Sequence, residues 1–446
     1  MMGIKSFQLK NLNAPVSIIP LVHFRILFGL LMFVSLLRFW LNGWIETQYI
    51  QPSVHFTFFG FEWVQYPGDT LIYVFFAAMM VASLGILFGF LYRFFTIVFF
   101  VLFSYVELID ATNYLNHYYF VSLIAFLLML VPAHKKASLD VKFAWVKPMN
   151  HVAWWQVQIF KFQLFVVYFY AGLAKLNSEW MIQAQPLSIW LSAKTHLPII
   201  GELLGKTWAH YAFSWFGAIY DLCIPFLLLN KRTVKLAFVF VVVFHAMTAM
   251  LFQIGMFPYI MIMATTIFFT EKWHLQFFKR WHKKEITDLI EVIPVPFNRT
   301  MKVVLTTYIV LQLLIPFRYV LYPGNLFWTE QGYRFSWRVM LMEKAGYATF
   351  YVKDAGDDRS LPIRNLDYLN AYQEKMMATQ PDLIWQFAQI IAQDYRKKGM
   401  KKPEIYVESY VTINGRTSHP FIDFNVNLLA EKNDWIHKKW ILPSNL

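Results

Sequence analysis

Long apolar runs recur through the first three quarters of this chain, and a run of about 20 apolar residues has few places to go except across a lipid bilayer. Nine such stretches stand out, near residues 18–39, 70–90, 93–110, 117–133, 156–176, 211–229, 234–252, 255–270 and 301–321. A backbone inside a bilayer must satisfy its own polar groups, so each stretch is expected to be helical. The first is long enough to span and lacks a small-residue cleavage site, so it reads as a helix and not as a signal peptide. Beyond residue 321 the pattern becomes that of a water-facing domain. The expected fold is a polytopic α-helical membrane bundle of about nine transmembrane helices (1–321) with a C-terminal β-rich extracytoplasmic domain (322–446). Composition agrees, since 58% of the 446 residues are hydrophobic against roughly 45–50% in soluble domains.

The formal net charge of +13 raises nucleic acid as a partner. The positive residues, however, fall in loops beside apolar runs, so membrane lipids account for them and no nucleic-acid partner is expected. With the N-terminus in the cytoplasm, the inside segments hold Lys5, Lys10, Arg93, Lys135, Lys136, Lys142, Lys147, Lys231, Arg232, Lys235, Lys272, Lys279, Arg280, Lys283, Lys284 and Arg299. The outside loops hold only Lys194 and Lys206. This asymmetry sets the orientation, and nine crossings send the C-terminal domain to the periplasm or a lumen. In that domain residues 347–353, 404–413 and 421–427 carry the β-branched and aromatic signature of strands. Asn414-Gly415 is a hairpin signal, and a helical stretch at 365–398 is interrupted at Pro381. Together these suggest a small β-sandwich-like module with one or two helices.

Ionisable groups at bilayer depth are costly and mark function by default. Lys175 ends the fifth stretch, beside the small residues Ala171, Gly172 and Ala174. A lysine stripped of water can serve as a general base; equally, it can snorkel its ammonium to the outer surface. His245 and Gln253 flank the outer half of the seventh stretch, where Gly255 and Pro258 break the helix; they either line a cavity or join helices by hydrogen bonds. Asn116 and His117 open the fourth stretch, where Asn can act as an N-cap. His134, at its inner end, suits a headgroup-level role. Arg25 lies within the first stretch and needs a partner, for which Glu107 or Asp110 is available. Asp221 could pair with a lysine such as Lys161. Cys223, the single cysteine, excludes an intramolecular disulfide and reads as a buried structural thiol. No zinc, calcium, P-loop or dinucleotide motif is present, so no metal is expected, and a lipid-soluble cofactor is expected over a nucleotide.

Several segments resemble those of vitamin K-dependent gamma-glutamyl carboxylases. YFYAGLAKLNSEW (168–180) is similar to the family's catalytic-lysine segment, and FHAMTAMLFQIGMFPY (244–259) to another of its signatures. FRILFGLLM (24–32), NHYYF (116–120), YRFSWRVML (333–341) and EIYVESYVTINGR (404–416) follow the same order as in the family. In the family a lysine deprotonates vitamin K hydroquinone, O2 adds, and the strongly basic product removes a γ-proton from glutamate. CO2 then traps the carbanion and the quinone leaves as its epoxide. The resemblance implies that Lys175 is the base. It also implies that His245, Gln253 and Met256 line the quinol cavity, with Asn116, His117 and Arg25 as further cofactor-site residues. The partners it implies are a lipid-soluble quinol and a glutamate-containing peptide or protein.

The chain departs from the animal enzymes in two places. It cannot form their disulfide, and an ungapped match over 133–138 puts Lys135 at a family histidine position. These departures suggest a bacterial-type homologue, in a bacterial inner membrane, using menaquinol or reduced vitamin K. They leave two alternatives to coupled carboxylation: quinol epoxidation alone, or a non-enzymatic membrane binding or assembly protein of the same fold.

Overall fold

A computed structural model describes residues 12–277, 298–357 and 359–444. Six described helices are long and apolar enough to cross a membrane: Ile19–Leu41, Asp69–Phe88, Trp154–Lys175, Thr207–Leu229, Val234–Leu251 and Arg299–Leu321. The other three expected stretches form shorter helices, Tyr92–Leu108, Asn116–Leu130 and Phe257–Phe268. Of the basic residues that set the orientation, Lys5, Lys10, Lys279, Arg280, Lys283 and Lys284 lie outside the described residues.

The helices pack in sequence-adjacent pairs, Ile19–Leu41 along Asp69–Phe88 and Trp154–Lys175 along Thr207–Leu229. Small residues make the second contact close. A Cβ on Gly172 would stand 2.8 Å from the backbone nitrogen of Leu222, so only glycine permits this approach. The outer faces stay apolar: Val239, Phe240 and Val243 are exposed on one helix, and Leu71, Val74 and Val81 on another. Such stripes would be untenable in water and suit lipid. Cys223 lies on an outer face and is exposed, not buried as its apolar run suggested.

Two polar residues of the inner half find partners that sequence did not identify. Arg25 is fully buried but does not meet Glu107 or Asp110. It donates to the carbonyls of Ile86 (3.0 Å) and Ala137 (2.7 Å), joining the end of the second helix to the 131–138 loop. Glu107 accepts from Ser122 at 2.7 Å, and Asp110 from Thr112 and from Gln373. His134 is buried and stacked on Tyr92, with ring centroids 4.7 Å apart, so it is not the surface residue expected.

Among the described residues the C-terminal region holds one four-stranded antiparallel sheet and not a sandwich. Its order is Leu361–Pro362, Lys344–Asp354, Pro403–Ile413, His419–Pro420. The two long strands pair from Lys344↔Ile413 to Asp354↔Pro403. Ile405, Val407 and Val411 alternate inward, as a half-buried strand requires. The helix Pro381–Lys397 covers that face with Leu383, Ile384, Phe387 and Ile391. One helix layer thus does what a second sheet would have done. Pro381 starts this helix, after the shorter Ala371–Met377. The expected third strand at 421–427 pairs only at its edge, by an Ile422↔Ile441 bridge; Asp423 and Asn427 instead turn their side chains onto nearby backbone nitrogens.

The sheet region is clamped to the outer loops of the bundle. Arg416 pairs with Glu179 at 2.5 Å, Asn414 donates to the same carboxylate at 3.0 Å, and Trp190 donates to Glu343 at 2.6 Å. Asn414 and Gly415 both take positive φ, the conformation expected of this Asn-Gly turn.

Candidate active site

The Trp154–Lys175 helix ends on Lys175, and the close approach at Gly172 brings the Thr207–Leu229 helix alongside it. Lys175 Nζ donates to Asp221 Oδ2 at 2.6 Å and to the Ala171 carbonyl at 3.3 Å. It also lies 5.3 Å from the Trp180 ring centroid. Both charged residues are buried, with 6% and 5% of their surface exposed. The lysine therefore does not snorkel. Asp221 takes Lys175 as its partner; Lys161 instead sits 5.7 Å from the Phe268 ring centroid.

An apolar hollow of about 90 Å³ opens beside this pair, walled chiefly by Phe213, Phe216, Phe244, Phe252, Phe257 and Trp190. Lys175 and Asp221 supply one polar pole, and Tyr168 and His245 supply another. Tyr168 Oη lies 3.2 Å from His245 Nε2. His245 Nδ1 is buried and has no hydrogen-bond partner among the described residues, the kind of vacancy that a ligand fills.

Gln253, Met256, Asn116 and His117 do not line this hollow. They line a larger, polar cleft of about 620 Å³ between the bundle and the C-terminal region. Trp190, Ile254, Phe257, Val339 and Met340 face both spaces, so the two adjoin. Asn116 does not cap its helix, whose N-cap is Leu115; its amide donates to the Arg338 carbonyl at 2.9 Å. Arg38, Arg334, Arg338, Lys344 and Lys375 face the cleft against Glu330 and Glu343. Burial pushes the Lys344 ammonium below its usual range, and Glu330 at 2.8 Å offsets this only in part. Arg25 lines neither space. Sequence reasoning missed Tyr168 and the pairing of Asp221, although the small-residue step at Gly172 was the signal for a helix close to Lys175.

Two family models match the chain. The HTTM domain covers residues 13–273, and the lumenal domain of vitamin K-dependent gamma-carboxylase covers 297–446. The chain belongs to the vitamin K-dependent gamma-carboxylase family. It is a carboxylase-like integral membrane protein with a lumenal C-terminal domain, and its family uses reduced vitamin K, O2 and CO2. No solved structure matches the chain. The hollow's aromatic walls, its few polar side chains and a buried imidazole nitrogen that has no partner among the described residues are the kind of lining that a lipid-soluble ring compound takes. Lys135 of this carboxylase homologue lies in the inner loop, its N–H on the Pro132 carbonyl, and faces neither space.

Proposed function

We propose that this protein is a quinol-dependent gamma-glutamyl carboxylase in which Lys175 receives the quinol proton. The observation that carries the reading is the adjoining pair of spaces, one apolar and holding a buried amine, the other polar and basic. The quinol, reduced vitamin K or menaquinol, supplies the oxygen-activating chemistry. Trp180 and the phenylalanine walls exclude water from Lys175, and His245 and Tyr168 orient the far end of the ring system. A glutamyl peptide lies in the basic cleft, where Arg38, Arg338 and Lys375 favour carboxylates; Gln253, Met256, Asn116 and His117 line its route toward the shared wall. In this reading the three shorter helices complete nine crossings, residues 1–321 form the quinol-binding unit and 322–446 the peptide-presenting unit. The host membrane is a bacterial inner membrane.

The test is to supply purified protein with reduced vitamin K, O2, labelled bicarbonate and a glutamyl peptide. Epoxide and labelled peptide should form together, and Lys175→Ala should abolish both. Epoxide without label would remove carboxylation from the assignment; full epoxidation by Lys175→Ala would remove Lys175 as the base.

A further inference from the structure

A lysine held 2.6 Å from a carboxylate poses a chemical difficulty for the reading above. In an ammonium–carboxylate pair the nitrogen has no free lone pair, so it cannot simply accept another proton. Its hydrogens already point at Asp221 and at the Ala171 carbonyl. The carboxylate, however, still has capacity. Among the described residues only Lys175 donates to Asp221, through Oδ2, and Asp221 itself faces the hollow.

We propose that Asp221 is the proton-holding partner of Lys175, so that the base of this site is the pair and not the amine alone. This rests on the quinol reading of the same hollow. The transfer balances as follows. The O–H bond of a quinol hydroxyl breaks and its oxygen keeps the electron pair. An N–H bond forms on Lys175 as another lysine N–H breaks toward Asp221, and an O–H bond forms on the carboxyl. The pair goes from neutral to a single positive charge while its ligand gains a single negative charge, so no net charge is added to a dry space. That matters energetically, because an uncompensated charge in such surroundings is costly. Asp221 thereby acts through Lys175 as a positioning residue. Tyr168 and His245, on the walls of the same hollow, are engaged with each other.

The test uses the full-length protein under argon, with reduced vitamin K as probe and infrared difference spectroscopy as readout. Binding should add a carboxylic-acid C=O band. Asp221→Asn should lose that band and, in air, lose epoxide turnover by on the order of 10²-fold or more. Asp221→Glu should restore both in part, which guards against Asp221→Asn failing only because it folds poorly. A wild-type protein that binds the probe without the band, or an unchanged band in Asp221→Asn, overturns the proposal even if epoxide forms. A band assigned to Asp221 in a protein that makes no epoxide would sustain the pair and sink the enzymatic reading instead.

Discussion

Replacing Lys175 by methionine should destabilise this protein far more than replacing both Lys175 and Asp221. Methionine keeps most of the lysine stem, so packing against Trp180 and Ala171 is largely retained. What changes is Asp221, left 5% exposed with no other described donor. Removing one partner of a buried ion pair costs about 3–5 kcal/mol, whereas replacing both by apolar residues is often neutral or stabilising by about 1–4 kcal/mol. The low end of the first range applies here, because Asp221 borders a hollow and can take up a proton. Lys175→Met should therefore cost about 3 kcal/mol. Lys175→Met with Asp221→Leu should lie within about 1 kcal/mol of wild type, the small volume-conserving penalty of a well-matched swap. Unfolding by titration with SDS in mixed micelles, followed by tryptophan fluorescence, compares the two. If the single variant is no less stable than the double, the pair is not the buried, mutually dependent unit described, and the proton-sharing argument goes with it. The comparison also protects the activity test, since the double variant separates loss of chemistry from loss of fold.

Two other perturbations read different parts of the structure. Gly172→Val places a Cβ 2.8 Å from Leu222 backbone and should cost about 1–3 kcal/mol by overpacking in the same SDS titration; Gly217→Ala meets only the Trp180 ring at 3.6 Å and should be tolerated. In the lumenal region burial pushes the Asp382 carboxyl up, but Arg334 at 2.5 Å outweighs it and holds the group below its usual range. A depressed carboxyl stabilises above its unfolded value near 3.8 and loses that contribution as pH falls through its folded value. Acid unfolding below about pH 4, followed by near-ultraviolet circular dichroism, should be blunted in Arg334→Met; an identical acid profile in that variant would refute the pairing.

Hydropathy made the bundle legible because lipid solvation forces apolar helices, and the outward stripes at 239–243 and 71–81 are its direct imprint. Boundaries were less legible: Tyr92–Leu108, Asn116–Leu130 and Phe257–Phe268 are shorter than a full span, and hydropathy alone cannot mark where a helix end tightens or turns. The long strands at 344–354 and 403–413 declared themselves by alternation. The 421–427 segment carried the same residue types, but its Asp and Asn side chains captured backbone nitrogens and displaced strand pairing. At the site, Lys175 stood out as a costly charge near the end of an apolar helix. Asp221 stood out as well, but with Lys161 as its suggested partner, because Lys175 is 46 residues away and only the helix crossing at Gly172 brings the two together. Arg25 misled for a related reason: a buried guanidinium can be satisfied by carbonyls, and nothing in sequence distinguishes that from a carboxylate partner.

The arrangement of the hollow follows from one helical repeat. Tyr168 and Lys175 are seven residues apart on the same helix, two turns, so they lie on one face with a rise between them of about 10 Å. That length is comparable to a hydroquinone, hydroxyl to hydroxyl, with a hydrogen bond at each end. The two ends are chemically unequal. At the Tyr168 end the partner is a hydroxyl–imidazole pair whose Nδ1 has no partner among the described residues and can hold an oxygen by a hydrogen bond. At the Lys175 end the partner is a carboxylate-backed amine. On the proposed reading, a symmetric pair of hydroxyls becomes directional on entering the site, and deprotonation falls at the Lys175 end. The reacting edge then lies toward Trp180, 5.3 Å from Lys175 Nζ, in a hollow whose Trp190 wall also borders the basic cleft. Directionality, exclusion of water and access to a carboxylate thus all depend on a single geometric fact: a glycine one turn before the lysine lets a second helix deliver its aspartate.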